Sequence, residues 1–313
     1  MRFTRILLLR FMPVLENAQP VLLLVDKTYA EAGFTLIEMS IVLVIIGLIV
    51  GGILTGQELI RNAGIRATIG QLEKYNTAAY TFRNKYGSLP GDITSSQAAA
   101  FGFYNVTGAS AGTQSCGDGN GFVQGYSGSN RQDGASFGGE IAMFFLQLSQ
   151  AGLIDGMYGA GGADVKITGA TTTGGSTNSL PFVNVTTPGG TIGELLPAAK
   201  LGKGNFFTIG SVNGNNYFIL TGVTSIDTDA NVTSTNNLTP NDGYNIDVKI
   251  DNGLPSTGRV VALDTVNHII SWSAGTGITT LDTTGNCIHS GVYYTSSSTF
   301  ANAMNCSLRI NFQ

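Results

Sequence analysis

The run MSIVLVIIGLIVGGILT, Met39 to Thr55, constrains this chain more than any other stretch. Taken with Phe34 to Ile37 it amounts to about 20 residues with one charge, Glu38, enough helix to cross a hydrocarbon core of ~30 Å. The segment reads as a membrane span. A carboxylate inside such a segment costs roughly 2.5 to 3.5 kcal/mol at mid-bilayer on insertion scales, so Glu38 calls for a cationic partner.

Beyond the span the pattern changes from uniformly apolar to amphipathic. Ile65, Ile69, Leu72, Tyr75, Ala79, Phe82 and Tyr86 recur every three or four positions, which keeps one face of a helix apolar, while Arg66, Glu73, Lys74 and Arg83 fall elsewhere. Gly87 and then Leu89-Pro90 form a stop signal. One helix is therefore expected from Phe34 to Tyr86, on the order of 75 to 80 Å long at ~1.5 Å per residue. Gly47, Gly51, Gly52 and Gly56 allow close helix approach within it and also weaken it locally.

Hydrophobic residues make up 42% of the 313 residues and charged ones only 12%, which excludes disorder of the whole chain. Its 43 glycines, in company with Ser, Thr and Asn and without a G-X-Y period, point to many turns and short strands outside the membrane. Net charge is -4, and residues 34–313 carry 12 Lys/Arg against 17 Asp/Glu, or -5. A phosphate backbone is repelled overall, so no nucleic-acid partner is expected.

The stretch Gly33-Phe34-Thr35-Leu36-Ile37-Glu38 resembles the processing site of type IV pilins and of the pseudopilins of type II secretion. In that family a prepilin peptidase cuts after the glycine, the new amino-terminal phenylalanine is N-methylated, and the glutamate pairs with a neighbour's terminal amine during filament assembly. The resemblance implies processing between Gly33 and Phe34, a methylated Phe34 amine, and an assembly role for Phe34 and Glu38. Its implied partners are the prepilin peptidase, other pilin or pseudopilin subunits, an inner-membrane assembly platform and membrane lipid. It places the chain in the bacterial inner membrane with its head in the periplasm, then in a periplasmic pseudopilus or a surface pilus. The physical sense is independent of the family, because a buried carboxylate becomes tolerable once a cation from the next subunit reaches it. The plainer reading is a single-span anchor whose glutamate sits at the headgroups.

YNTAAYTFRNKYGSLPGD, Tyr75 to Asp92, resembles the end of the spine helix in a subset of pilin-like proteins, and residues 238–260 with the cysteines after them resemble the carboxyl half of larger ones. Between these the resemblance is absent. Many type IVa pilins carry a proline in the first helix, and none stands near Thr55. Residues 1–33 read as a leader whose Arg2, Arg5, Arg10 and Lys27 orient the span. It departs from family leaders in its length, its Glu16, Asp26 and Glu31, and its apolar pieces, and a start codon placed too far upstream would explain that. A secretory signal peptide fits poorly, since the apolar run exceeds a 7–15 residue h-region.

The expected fold is α+β: a leader over 1–33, the membrane half of a spine helix over 34–56, its amphipathic half over 57–87, and a β-rich antiparallel head over 88–313. Residues 117–139 read as a Gly/Ser/Asn-rich loop, Glu140 to Leu148 as a short amphipathic helix, and 159–195 resists assignment. Phe206 to Ile209 and Tyr217 to Leu220 flank Asn213-Gly214-Asn215, a hairpin signal. Thr239-Pro240-Asn241-Asp242 begins a helix that ends near Gly253. Short strands are expected over Gly258 to Leu263, Ile269 to Trp272, Val292 to Thr295 and Ser307 to Phe312, antiparallel because their connections are short.

The cysteines are Cys116, Cys287 and Cys306, which alone leave every pairing open. The C-terminal disulfide loop of many pilins favours Cys287 with Cys306, a closure worth roughly 3 kcal/mol in the chain-entropy picture.

Gly134-Ala135-Ser136-Phe137-Gly138 matches G-x-S-x-G, with Asp264 and His268 or His289 following in hydrolase order. Polar loop residues precede it where a buried strand is needed, so Ser136 reads as a loop or cap serine. Asp227-Thr228-Asp229-Ala230-Asn231 opens like a calcium loop, but Val232 and Leu238 stand where the glycine and bidentate glutamate belong. Asp118-Gly119-Asn120-Gly121 is equally weak. No catalytic residue, no metal ligand set and no cofactor is expected, and the chain does not read as an enzyme. Two functions remain: a structural subunit of a pilus or pseudopilus, of minor or tip type given its size, or an anchored or tip binding module for adhesion, DNA uptake or secreted-substrate recognition.

Overall fold

The computed structural model describes residues 34–103, 117–127, 130–132, 137, 139–159, 165–169, 181–185, 192–212, 214–226, 232–263, 287–296 and 303–312. Helix α1 spans Leu36–Tyr86 without interruption. The chain divides into two compact units, the first ending at Ile53 and the second running Leu54–Gln313. In the first unit every described apolar side chain of α1 stays exposed, Leu36 at 89% and Leu43 at 70%, as a helix surrounded by apolar solvent would leave them.

In the second unit the same helix becomes one-sided. Ile65, Thr68, Leu72, Tyr75, Ala78, Ala79 and Phe82 are buried, with Ile69 and Tyr86 partly so. Thr68 and Ala78 complete a face that apolar periodicity alone marks out less fully, Thr68 Oγ1 donating to the Gly64 carbonyl at 2.8 Å instead of meeting the core as an open hydroxyl. The helix stops at Gly87, whose φ of +84° favours a residue without Cβ and whose N–H closes onto the Arg83 carbonyl at 2.8 Å.

Short elements follow: α2 (Ser95–Ala100), β1 (Gly125–Ser127), β2 (Asn130–Gln132), α3 (Gly139–Gln150), β3 (Val165–Gly169), β4 (Pro181–Val185) and a 3-10 turn (Ile192–Glu194). Then come β5 (Asn205–Val212), β6 (Asn215–Ile226), β7 (Val232–Thr235), α4 (Pro240–Ile250), β8 (Val260–Leu263), β9 (Ile288–His289), β10 (Val292–Tyr293) and β11 (Ser307–Asn311). The main sheet is antiparallel, in the order β5-β6-β11-β8 with β7 also on β6. The 12-residue β6 pairs through Asn215 to Gly222 with β5, through Tyr217 to Leu220 with β11 and through Gly222 to Ile226 with β7. Two-stranded pairs β1-β2, β3-β4 and β9-β10 stand apart.

Tyr75 ties α1 to both neighbours, meeting Phe145 of α3 at 5.4 Å and Phe207 of β5 at 5.6 Å edge to face, while Tyr80 meets Phe312 at 5.3 Å. The core thus lies between the second half of α1, α3 and the sheet. An α+β class with an antiparallel head is what the chain has. Within residues 117–139 the loop expected from composition contains the β1-β2 pair, and the unassigned stretch after 159 contains β3-β4. Helix α4 opens on the hydroxyl-capped proline start read from the sequence and ends at Ile250, three positions before Gly253. The expected strand Ile269 to Trp272, the calcium-like loop at 227–231 and Ser136 with Asp264 and His268 lie outside the described residues. His289, on β9, stacks on Tyr294 at 4.8 Å with its side chain exposed.

Candidate functional site

The first unit carries the residues on which the family resemblance rests. Gly33 lies outside the described residues, and Phe34 stands 78% exposed just before α1. Glu38 sits in the first turn, where a carboxylate is favoured by the unpaired backbone N–H groups and the positive end of the helix dipole. The Thr35 N–H donates to Glu38 Oε2 at 2.8 Å and the Thr35 hydroxyl to the same oxygen at 2.7 Å. In return the Glu38 N–H donates to Thr35 Oγ1 at 3.3 Å. This is a capping box, Thr35-Leu36-Ile37-Glu38, and the T-x-x-E spacing that announces it is present in the sequence. Reading Glu38 as a charge in a span hid its second role as the residue that starts the helix.

Two bonds to one oxygen leave the carboxylate with unfilled acceptor positions, since an ionised carboxylate offers about four. A cation arriving from outside can therefore join without breaking the cap.

In the second unit α1 is fastened to the head by charge as well as by packing. Asp242, fully buried in the first turn of α4, accepts from Arg61 Nε at 2.7 Å and lies 3.5 Å from Lys203 Nζ. It also accepts from the Thr239 hydroxyl at 2.9 Å and Thr239 N–H at 3.3 Å, closing a second capping box, and Arg61 Nη2 reaches Thr239 Oγ1 at 2.5 Å. Burial pushes the Asp242 carboxyl up, but the Arg61 hydrogen bond and charge, with Lys203 and Thr239, outweigh it and hold the group below the usual carboxylate range. Arg61 is thereby neutralised in place.

Three carboxylates, Asp92, Asp118 and Glu140, place oxygens within 4.8 Å of one another. Their partners show what they do. Asp92 Oδ1 accepts the N–H groups of Gly119 at 2.8 Å and Asn120 at 3.1 Å, and Oδ2 that of Gly121 at 2.9 Å. Glu140 Oε2 accepts the Gln124 N–H at 2.8 Å. Burial drives Asp92 up to about 6 against these three backbone donors, with Asp118 adding to the rise. The group pins the 117–124 loop onto the segment between α1 and α2 and onto the start of α3. Gly117 is required there, since a Cβ on it would lie 1.8 Å from the Asp92 carbonyl carbon.

Cys287 and Cys306 are joined by a disulfide with their Cα atoms 5.1 Å apart, and Cys116 lies outside the described residues. Cys306 forms an isolated bridge with Leu238, directly before the Thr239 cap of α4, so the crosslink anchors β9 beside the start of that helix and of β11.

The prokaryotic N-terminal methylation motif matches the chain over residues 29–54, a window that takes in Gly33, Phe34, Glu38 and nearly all of the apolar run. That motif is the signature of prepilin-type proteins, the type IV pilins and pseudopilins. Neither a curated protein nor a solved structure matches the chain.

Proposed function

We propose that the protein is a structural, non-enzymatic subunit of a type IV pilus or a type II secretion pseudopilus, of minor or tip type. In this reading a prepilin peptidase cuts after Gly33, the Phe34 amine is methylated, and the chain waits in the inner membrane for other subunits at the assembly platform. The match of the methylation motif to residues 29–54 carries the proposal, because it falls on the exposed apolar part of α1 whose first turn holds Glu38. A neighbouring Phe34 amine then meets a carboxylate already oriented by Thr35, and each subunit's charge is matched in the filament and costly outside it.

Intact-mass measurement of the membrane-extracted protein, with sequencing of its N-terminal peptide, tests this. A chain beginning at N-methylated Phe34 is the expected result. A mature protein beginning elsewhere, or an unmethylated Phe34, refutes it.

A further inference from the structure

The second unit holds a cleft of about 410 Å³ between the distal half of α1 and the end of α4. Ile69, Leu72 and Asn76 come from α1, Phe218 from β6, Ile250 from α4, and Arg259 from the residue before β8. Its size is in the range of small-ligand sites. Two of its lining residues each carry a buried atom, Asn76 Oδ1 and Arg259 Nε, with no hydrogen-bond partner among the described residues. A buried polar atom left unmade is costly, and two in one cleft, one acceptor and one donor, define a complement.

The complement must accept from a guanidinium and donate to an amide oxygen. Arg259 is permanently charged, and its planar fork matches a carboxylate. Lys249, also lining the cleft, adds a second cation, against Glu73 in the lining and Asp251, whose carboxylate accepts the Arg259 backbone N–H, so the preference for an anion rests on the unpaired guanidinium of Arg259. The nearest helix end is the C-terminus of α4, the negative end of its dipole, which opposes any anion and opposes a doubly charged phosphate about twice as strongly as a single carboxylate. Ile69, Leu72 and Ile250 with the ring of Phe218, itself only 1% exposed, offer an apolar floor and no exposed aromatic plate on which a sugar would stack.

We propose that this cleft binds the carboxyl terminus of a polypeptide that ends in an apolar residue. The terminal carboxylate pairs with Arg259, the preceding amide N–H donates to Asn76, and the last side chain lies on the apolar floor. Capture of a chain end in this way is one of the recurring modes of peptide recognition. The inference stands apart from filament assembly, because a soluble probe reports on the cleft whether or not subunits polymerise.

The test uses the full chain in detergent and saturation-transfer NMR titrations with N-acetyl-leucine, N-acetyl-leucinamide and glucuronate. Binding of the acid is expected, with the neutral amide and the sugar acid weaker by roughly tenfold or more. Arg259→Gln and Asn76→Leu should each weaken the acid by a similar factor, and in Arg259→Gln the preference for acid over amide should vanish. Equal binding of acid and amide to the wild-type chain overturns the assignment without recourse to any variant. Preference for glucuronate over N-acetyl-leucine, or no saturable binding at millimolar acid, overturns it too.

Discussion

Replacing Arg61 with methionine removes a guanidinium while keeping an aliphatic stem of similar reach, so what it measures is the hold of α1 on Asp242. Stripping one partner from a fully buried pair costs about 3–5 kcal/mol. Here the figure is smaller for two structural reasons. Lys203 stays 3.5 Å from the carboxylate and Thr239 keeps donating to it, and the Arg61 side chain is itself 32% exposed, so solvent already screens part of the attraction. The loss expected is that of one charge-assisted hydrogen bond, about 2 kcal/mol. For a unit of this size that corresponds to a fall in Tm of roughly 4–8 °C. The assay is thermal unfolding of the detergent-solubilised full chain, followed by near-ultraviolet circular dichroism. The pH dependence is more diagnostic than the shift. Asp242 is depressed in the folded chain, so its pairing stabilises fully above the unfolded carboxylate value near ~3.9 and is lost as pH falls through the lower folded value. The gap between wild type and Arg61→Met should accordingly be widest at neutral pH and close only as pH falls below the unfolded carboxylate value. A gap of under ~0.5 kcal/mol, or one that stays constant with pH, would refute the claim that the pair is buried and charged.

Glu38→Gln should keep the α1 start, because glutamine also closes a capping box, and should leave membrane insertion and Gly33 cleavage intact while lowering recovery in sheared filaments; Glu38→Asp should be intermediate by quantitative blotting. Wild-type recovery of Glu38→Gln would make the glutamate a headgroup anchor. Gly117→Ala should destabilise the second unit by about 3 kcal/mol in the same thermal assay, since its Cβ would meet backbone that cannot move aside. Reducing the disulfide should cost about 3 kcal/mol for a separation of 19 residues, read as a lowered unfolding midpoint in dithiothreitol. Non-reducing peptide mapping that finds Cys116 bonded to either partner would contradict the pairing.

Elements specified by local chemistry were legible in the sequence. Thr239, Pro240 and Asp242 sit within four positions and state the start of α4 by themselves, and the β5-β6 hairpin follows from two β-rich runs around Gly214. The β3-β4 pair was not, because five-residue strands embedded in Gly/Thr-rich sequence show too few alternations to stand out. Capping at α2 was readable in Thr94-Ser95-Ser96-Gln97, yet the helix is only six residues long. The contacts that matter most to the second unit were beyond reach for another reason. Arg61 finds Asp242 across 181 residues, and Asn76 shares a cleft with Arg259, so neither partner is marked by spacing. In the sequence Arg61 is merely a cation a few residues beyond the apolar run.

Strand β11 comes last in chain order but lies inside the sheet, between β6 and β8. Until it arrives, β6 shows an unpaired row of backbone groups along Tyr217 to Leu220 and β8 another along Val260 to Leu263, each a template for pairing with the wrong chain. On the β6 side closure waits on contacts between residues 88 to 94 positions apart, the slow class of strand pairing. A ribosome or a translocation channel releasing this chain from its N-terminus must therefore deliver it through β11 before the sheet can commit, and during that interval the exposed edges depend on chaperones or on speed.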